Sequence, residues 1–156
     1  ANKVIGKYTF IFDNGENRNT ANEALKAILA TSTITISKSA NVGITNAKMY
    51  IDGSPSFFAN ATGDSGTSTT ALEFTPTELA KLADGGKLDG TVILVIEATV
   101  TPSDDTGEFL QTTIADIDGA TDDDDIWYYG DGLGTGAVLK NMFLPVAYVN
   151  GTTWSE

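Results

Sequence analysis

Six aspartates, Asp116, Asp118, Asp122, Asp123, Asp124 and Asp125, crowd one short stretch of this chain and are its densest chemistry. Calcium takes about six to eight oxygens from carboxylates and backbone carbonyls on a flexible loop. This stretch supplies them readily, with Asp131 close behind. The spacing is not that of an EF-hand: Asp116-Ile117-Asp118 runs straight into Gly119, with no acid at the third ligand position and no closing glutamate. A large, irregular oxygen supply favours Ca2+ over magnesium, which demands a stricter octahedron. The plainer reading is a solvated acidic loop that keeps the protein soluble. Between Lys87 and Lys140 no basic residue occurs, while Asp89, Glu97, Asp104, Asp105 and Glu108 add to these acids. Such a field calls for screening by divalent cations or by basic surface on a neighbouring subunit. A second oxygen-rich run, Asp13, Asn14, Glu16 and Asn17, reads more simply as an Asx-type turn.

Other chemistry is narrowed by what the chain lacks. It has no histidine and no cysteine. That removes Ser-His-Asp and Cys-His catalysis, histidine and thiolate zinc sites, haem ligation and disulfides. Paired carboxylates remain, and Glu97 within an apolar strand is the one acid in a setting that suits general-acid work. A partly exposed edge explains Glu97 more simply, and no enzyme is expected. Two N-x-[ST] sequons, Asn60-Ala61-Thr62 and Asn150-Gly151-Thr152, fall in expected loops where glycosylation could reach them. Trp127, Tyr128 and Tyr129, with Trp154, offer a sugar-stacking platform or, more commonly, packing surface. The formal charge of −12 disfavours nucleic acid and anionic membranes as partners. No apolar run approaches the ~20 residues of a membrane helix, so no membrane span is expected.

The elements that must position these groups are mostly strands. Residues 3–12 alternate with Val4, Gly6, Tyr8, Phe10 and Phe12 on one face and Ile5, Lys7, Thr9 and Ile11 on the other. Apolar side chains on both faces predict cover on both sides. A short helix is expected from Thr20, with Glu23 at capping-box spacing and Leu25, Ile28 and Leu29 as its apolar stripe. Strands follow at 31–38 and 44–52, with a shorter one near 56–59. Thr75-Pro76 with Glu78 then predicts a capped helix over 76–83, stopped by Gly85-Gly86. Residues 91–101 form the strongest strand, apolar on one face throughout and on the other at Ile93 and Val95, as in a central strand. Further strands are expected at 108–117, 126–129 and 137–149, then a polar tail over 150–156. The fold class is all-β: a jelly-roll-like two-sheet sandwich with two short helices in connections. The division expected is a first strand over 1–13 and one sandwich domain over 14–156.

A terminal strand that is apolar on both faces is an aggregation hazard unless something covers it. If it completes a neighbour's sheet, backbone pairing and core filling are both satisfied, and a head-to-tail contact that does not close propagates a filament. In this organisation, with its absent cysteines and acidic Thr-rich surface, the chain resembles subunits of archaeal extracellular filaments. These include the TasA-like bundling pilins and the calcium-dependent cannula proteins, which polymerise by donor-strand exchange. The resemblance implies a cell-surface homopolymer, with lateral bundling and biofilm or adhesion roles. It also implies that residues 3–12 are the donor strand, through Val4, Ile5, Tyr8, Phe10, Ile11 and Phe12, and that Asp122 to Asp125 are cation ligands. The chain shows no hydrophobic N-terminal helix of the kind found in type IV pilins and archaella. A carbohydrate-binding or adhesion module of an exported protein is the alternative, and a virion surface protein of the same fold is a third reading.

Overall fold

The computed structural model describes residues 2–12, 26–29, 33–38, 42–62, 71–102, 109–118, 125–130, 137–143 and 150–155. Twelve strands of the described residues carry the fold: β1 (Asn2–Phe12), β2 (Lys26–Ile28), β3 (Thr33–Lys38), β4 (Val42–Ile51), β5 (Phe58–Asn60), β6 (Ala71–Phe74), β7 (Lys87–Leu88), β8 (Gly90–Pro102), β9 (Phe109–Asp118), β10 (Asp125–Gly130), β11 (Ala137–Phe143) and β12 (Asn150–Ser155). One short helix, α1 (Pro76–Leu79), and a 3-10 turn (Ala83–Gly86) join β6 to β7. The described residues are mostly β-strand, consistent with an all-β fold, and their strand pairs are antiparallel.

The pairing has a simple order. β4 pairs with β5, β3 with β6, β2 with β7 and β1 with β8, four antiparallel pairs nested one outside the next. A second nest follows, β10 with β11 inside β9 with β12. The two nests join where β9 pairs with β3 and β10 with β2. Hydrogen bonding divides the strands into three four-stranded sheets, β1-β8-β4-β5, β11-β10-β2-β7 and β12-β9-β3-β6, where two sheets were expected. The chain changes sheet between Leu88 and Gly90, and Gly90 makes that corner with φ +65°, a backbone state open to glycine.

Alternation places the core. Ile34 and Ile36 of β3, Ile44, Ala47 and Met49 of β4, Leu72 and Phe74 of β6, and Val92, Leu94, Ile96 and Ala98 of β8 all enter one buried cluster. β4 holds its inward face across a bulge at Thr45/Lys48, where Asn46 adopts φ +53°. Asparagine tolerates that conformation better than most residues.

Three local expectations change. The helix expected from Thr20 gives way over Lys26–Ile28 to a strand, because β10 and β7 pair with it on both sides and backbone bonding outweighs a weak local stripe; residues 13–25 lie outside those described. The helix at Pro76 forms with Thr75 as its cap, its hydroxyl accepting from the Glu78 N–H at 3.4 Å, but it ends at Leu79. Glu78 does not close a capping box: its carboxylate accepts the Asn60 N–H at 2.9 Å and pairs with Lys81. The polar tail is the strand β12, with Trp154 opposite Leu110.

Candidate functional site: the seat of the first strand

β1 lies at the edge of its sheet, bonded to β8 of the same chain from Asn2 opposite Thr99 to Phe12 opposite Gly90. In the single chain residues 3–12 thus fold back onto β8 of the same chain. Cover on both faces, expected for this strand, is not met. A bulge between Val4 and Gly6 shifts the alternation, so that Ile5, Tyr8, Phe10 and Phe12 all turn into the core. Val4 is left 39% exposed and Ile11 69% exposed. The sequence-predicted donor residues therefore split: Ile5, Tyr8, Phe10 and Phe12 come together in the core, and Val4 and Ile11 stay outside. Phe10 and Phe12 stack with ring centres 5.8 Å apart, and the first strand belongs to the same hydrophobic core as the body.

The bulge opens a polar question in an apolar place. Thr112 of β9 answers it. It is fully buried, the one polar or charged residue besides the Tyr8 phenol in the core of the described residues. The Tyr8 hydroxyl donates to Thr112 Oγ1 at 2.8 Å, and the Thr112 hydroxyl donates onward to the Ile5 carbonyl at 2.7 Å. A relay of two short hydrogen bonds thus ties β1 to the sheet across the core. Burial pushes the Tyr8 phenol up to about 12, an effect only partly offset by its hydrogen bond to Thr112, so the hydroxyl stays a donor through neutral pH. Gly6 makes the approach possible. A Cβ there would stand 2.8 Å from Thr112 Oγ1 and 2.9 Å from Tyr8 Cε2, closer than real Cβ contacts. Sequence reasoning passed over Gly6 and Thr112 as site residues. A glycine inside an apolar strand, and a threonine between Leu110 and Ile114 on an inward face, were the available signals.

The outer face of the same sheet is different in kind. One row across its four strands reads Lys7, Val95, Tyr50 and Phe58, and the next reads Val4, Glu97, Lys48 and Asn60. Lys48 pairs with Glu97 at 3.6 Å, and its Nζ stands 5.3 Å from the Phe58 ring centre and 5.9 Å from that of Tyr50. The Tyr50 hydroxyl donates to Glu97 Oε2 at 3.3 Å. Burial, then the charge of Glu97 and that hydrogen bond, raise the Tyr50 phenol above its ordinary range. Glu97 is thus engaged by a lysine and a tyrosine. Val95 is fully buried yet stands outside the core cluster, between Lys7 and Tyr50 in register, so the second-face cover expected for β8 is local.

Asp122, Asp123 and Asp124 lie outside the described residues, as do Asp13, Asn14, Glu16 and Asn17. Asp116 and Asp118 stand opposite Thr35 and Thr33 in the β9–β3 pairing, and Asp125 opens β10 opposite Phe143. Asn60 is exposed on β5 instead of in a loop, while Thr62 of its sequon bridges to Glu73. Asn150 begins β12 opposite Thr113, also in a strand. Trp127, Tyr128 and Tyr129 belong to β10 and Trp154 to β12, in two different sheets. No helix of the described residues is long and apolar enough to cross a membrane. Compared with known proteins, the chain matches no family model, no curated sequence and no solved structure.

Proposed function

We propose that this protein is a structural subunit of an extracellular filament, a pilus or tube, that polymerises when its first strand exchanges into a neighbour. The observation that carries the reading is the position of β1. It is an edge strand, its partner β8 is remote in sequence, and its sequence neighbour β2 sits in another sheet. Four large side chains fill the core from this one strand. In the closed subunit the seat is filled in cis. In the filament a neighbour's strand makes the same contacts. We read the fold as a jelly-roll-like sandwich, since four nested antiparallel pairs are the wrapping of a jelly roll, with β1–β8 the outermost pair.

Register supplies a direct test. Thr9 of β1 stands opposite Ile93 of β8. Chains carrying Thr9→Cys are mixed with chains carrying Ile93→Cys, allowed to assemble and then oxidised. Exchange gives disulfide-linked heterodimers and negative-stain fibres. Heterodimers absent from oxidised mixtures at every concentration would overturn the reading. Calcium is proposed as a stabiliser through the acidic run: it should raise Tm or hasten assembly, and a chelator should reverse this. Replacing Asp123, Asp124 and Asp125 by asparagine should abolish the response.

A second reading, a carbohydrate-binding or adhesion module, draws on the aromatics outside the core. Phe57 is 57% exposed and Phe58 38% exposed, with Tyr50 paired beside Phe58. Saturable oligosaccharide-induced NMR shifts confined to these rings, in a protein that stays monomeric, would favour it.

A further inference from the structure

The relay beneath β1 does more than hold a strand; it reads one. We infer that the seat selects its occupant by a glycine-x-tyrosine signature at the bulge, so that the strand it accepts is that of a second copy of this chain. This rests on the strand-exchange reading and names the partner within it.

Three requirements meet at one place. The position facing Thr112 has no room for a Cβ, which would lie 2.8 Å from Thr112 Oγ1 and 2.9 Å from Tyr8 Cε2. Two residues on, a phenol must reach Thr112 to donate its proton, at 2.8 Å. The bulge between Val4 and Gly6 must also present the Ile5 carbonyl to the Thr112 hydroxyl, at 2.7 Å. Thr112 thus accepts from one residue of the strand and donates to another, which senses spacing as well as identity. Apolar burial alone senses neither well, because hydrophobic contact is non-directional.

Register follows from the same contacts. Slipping the strand by one residue turns its apolar set out of the core. Slipping by two would keep the faces but bring Val4 or Tyr8, each with a Cβ, to the position that admits only Gly6. Within the chain the pattern glycine-x-tyrosine occurs once, at Gly6-Lys7-Tyr8; Gly107-Glu108-Phe109 comes nearest and lacks the hydroxyl. Other strands of this protein, and apolar strands of other proteins, are thereby discriminated against while its own copies are accepted.

The experiment uses the full chain and labelled peptides spanning residues 2–12, followed by fluorescence anisotropy under the conditions in which fibres form. The native peptide is expected to enter the seat in competition with the resident strand. A Gly6→Ala peptide should enter about tenfold or more weakly, the scale of an overpacked core. A Tyr8→Phe peptide should enter about fivefold more weakly, the scale of one lost hydrogen bond in a buried site. A full chain carrying Thr112→Val should no longer prefer the native peptide over Tyr8→Phe, whereas Thr112→Ser, which keeps the hydroxyl, should retain the preference. Equal entry of all three peptides into the native chain would overturn the signature and leave strand exchange standing. Failure of every peptide to enter, while the Thr9→Cys and Ile93→Cys chains also fail to cross-link, would overturn strand exchange and the signature with it.

Discussion

The two faces of the β1-β8-β4-β5 sheet are built from alternate residues of the same strands, yet they are held by different physics. The inner face is close-packed and apolar, with one polar relay at Tyr8, Thr112 and Ile5. The outer face is a set of partly shielded pairs, Lys48 with Glu97, Tyr50 with Glu97 and Lys7 with Asp52. Inside, each hydrogen bond has no water to replace it, so losing one partner strands the other. Outside, solvent can take over most of what a deletion removes. Inner positions should therefore control whether β1 stays seated, and outer ones should barely affect it.

The largest contrast lies between adjacent residues. Phe10→Asp would bury a charge without a partner and remove a packed ring, so a loss of at least about 4 kcal/mol is expected by urea unfolding. Ile11→Asp, on a side chain 69% exposed, should cost no more than about 0.5 kcal/mol. Similar costs for the two would mean that Phe10 and Ile11 do not face opposite sides of the sheet as described.

Alkaline pH probes the relay next. With the folded Tyr8 phenol at about 12 against an ordinary 10, the protonated form is favoured by folding. Its contribution is complete below pH 10 and fades as pH rises from 10 to about 12, amounting to about 3 kcal/mol over that window. Tyr8→Phe should flatten this part of the stability–pH curve, and an unchanged slope would place the alkaline loss elsewhere.

Smaller effects sharpen the comparison. Thr112→Val keeps the shape but leaves the Tyr8 hydroxyl and the Ile5 carbonyl without their partner, and should cost about 2 kcal/mol. Adding Tyr8→Phe should recover part of that, a coupling that a double-mutant cycle measures directly. Smallest of all, Lys48→Ala should cost about 0.5–1 kcal/mol, with the loss shrinking in high salt as expected of a screened pair. A salt-independent loss would point to the packing of its stem against Tyr50 and Phe58 instead.

What the sequence determined by itself was the material written in short periods. Alternation marked β3, β4, β8 and β9 closely, and Thr75-Pro76 marked the start of α1, because side-chain direction and cap chemistry depend on immediate neighbours. The absence of histidine and cysteine narrowed the possible chemistry for the same reason: it needs no geometry. Only the tertiary structure decided the rest. Lys26–Ile28 became a strand because remote strands flank it on both sides, and Asn150–Ser155 became one because β9 offered an edge. Alternation already put Tyr8, Phe10 and Phe12 on one face; that Ile5 instead of Val4 joins them in the core was decided by a bulge, which leaves little trace in local periodicity. The partnership of Gly6, Tyr8 and Thr112 lies furthest from local view. It joins residues about a hundred positions apart, and each looks ordinary until the sheets close and water is excluded between them.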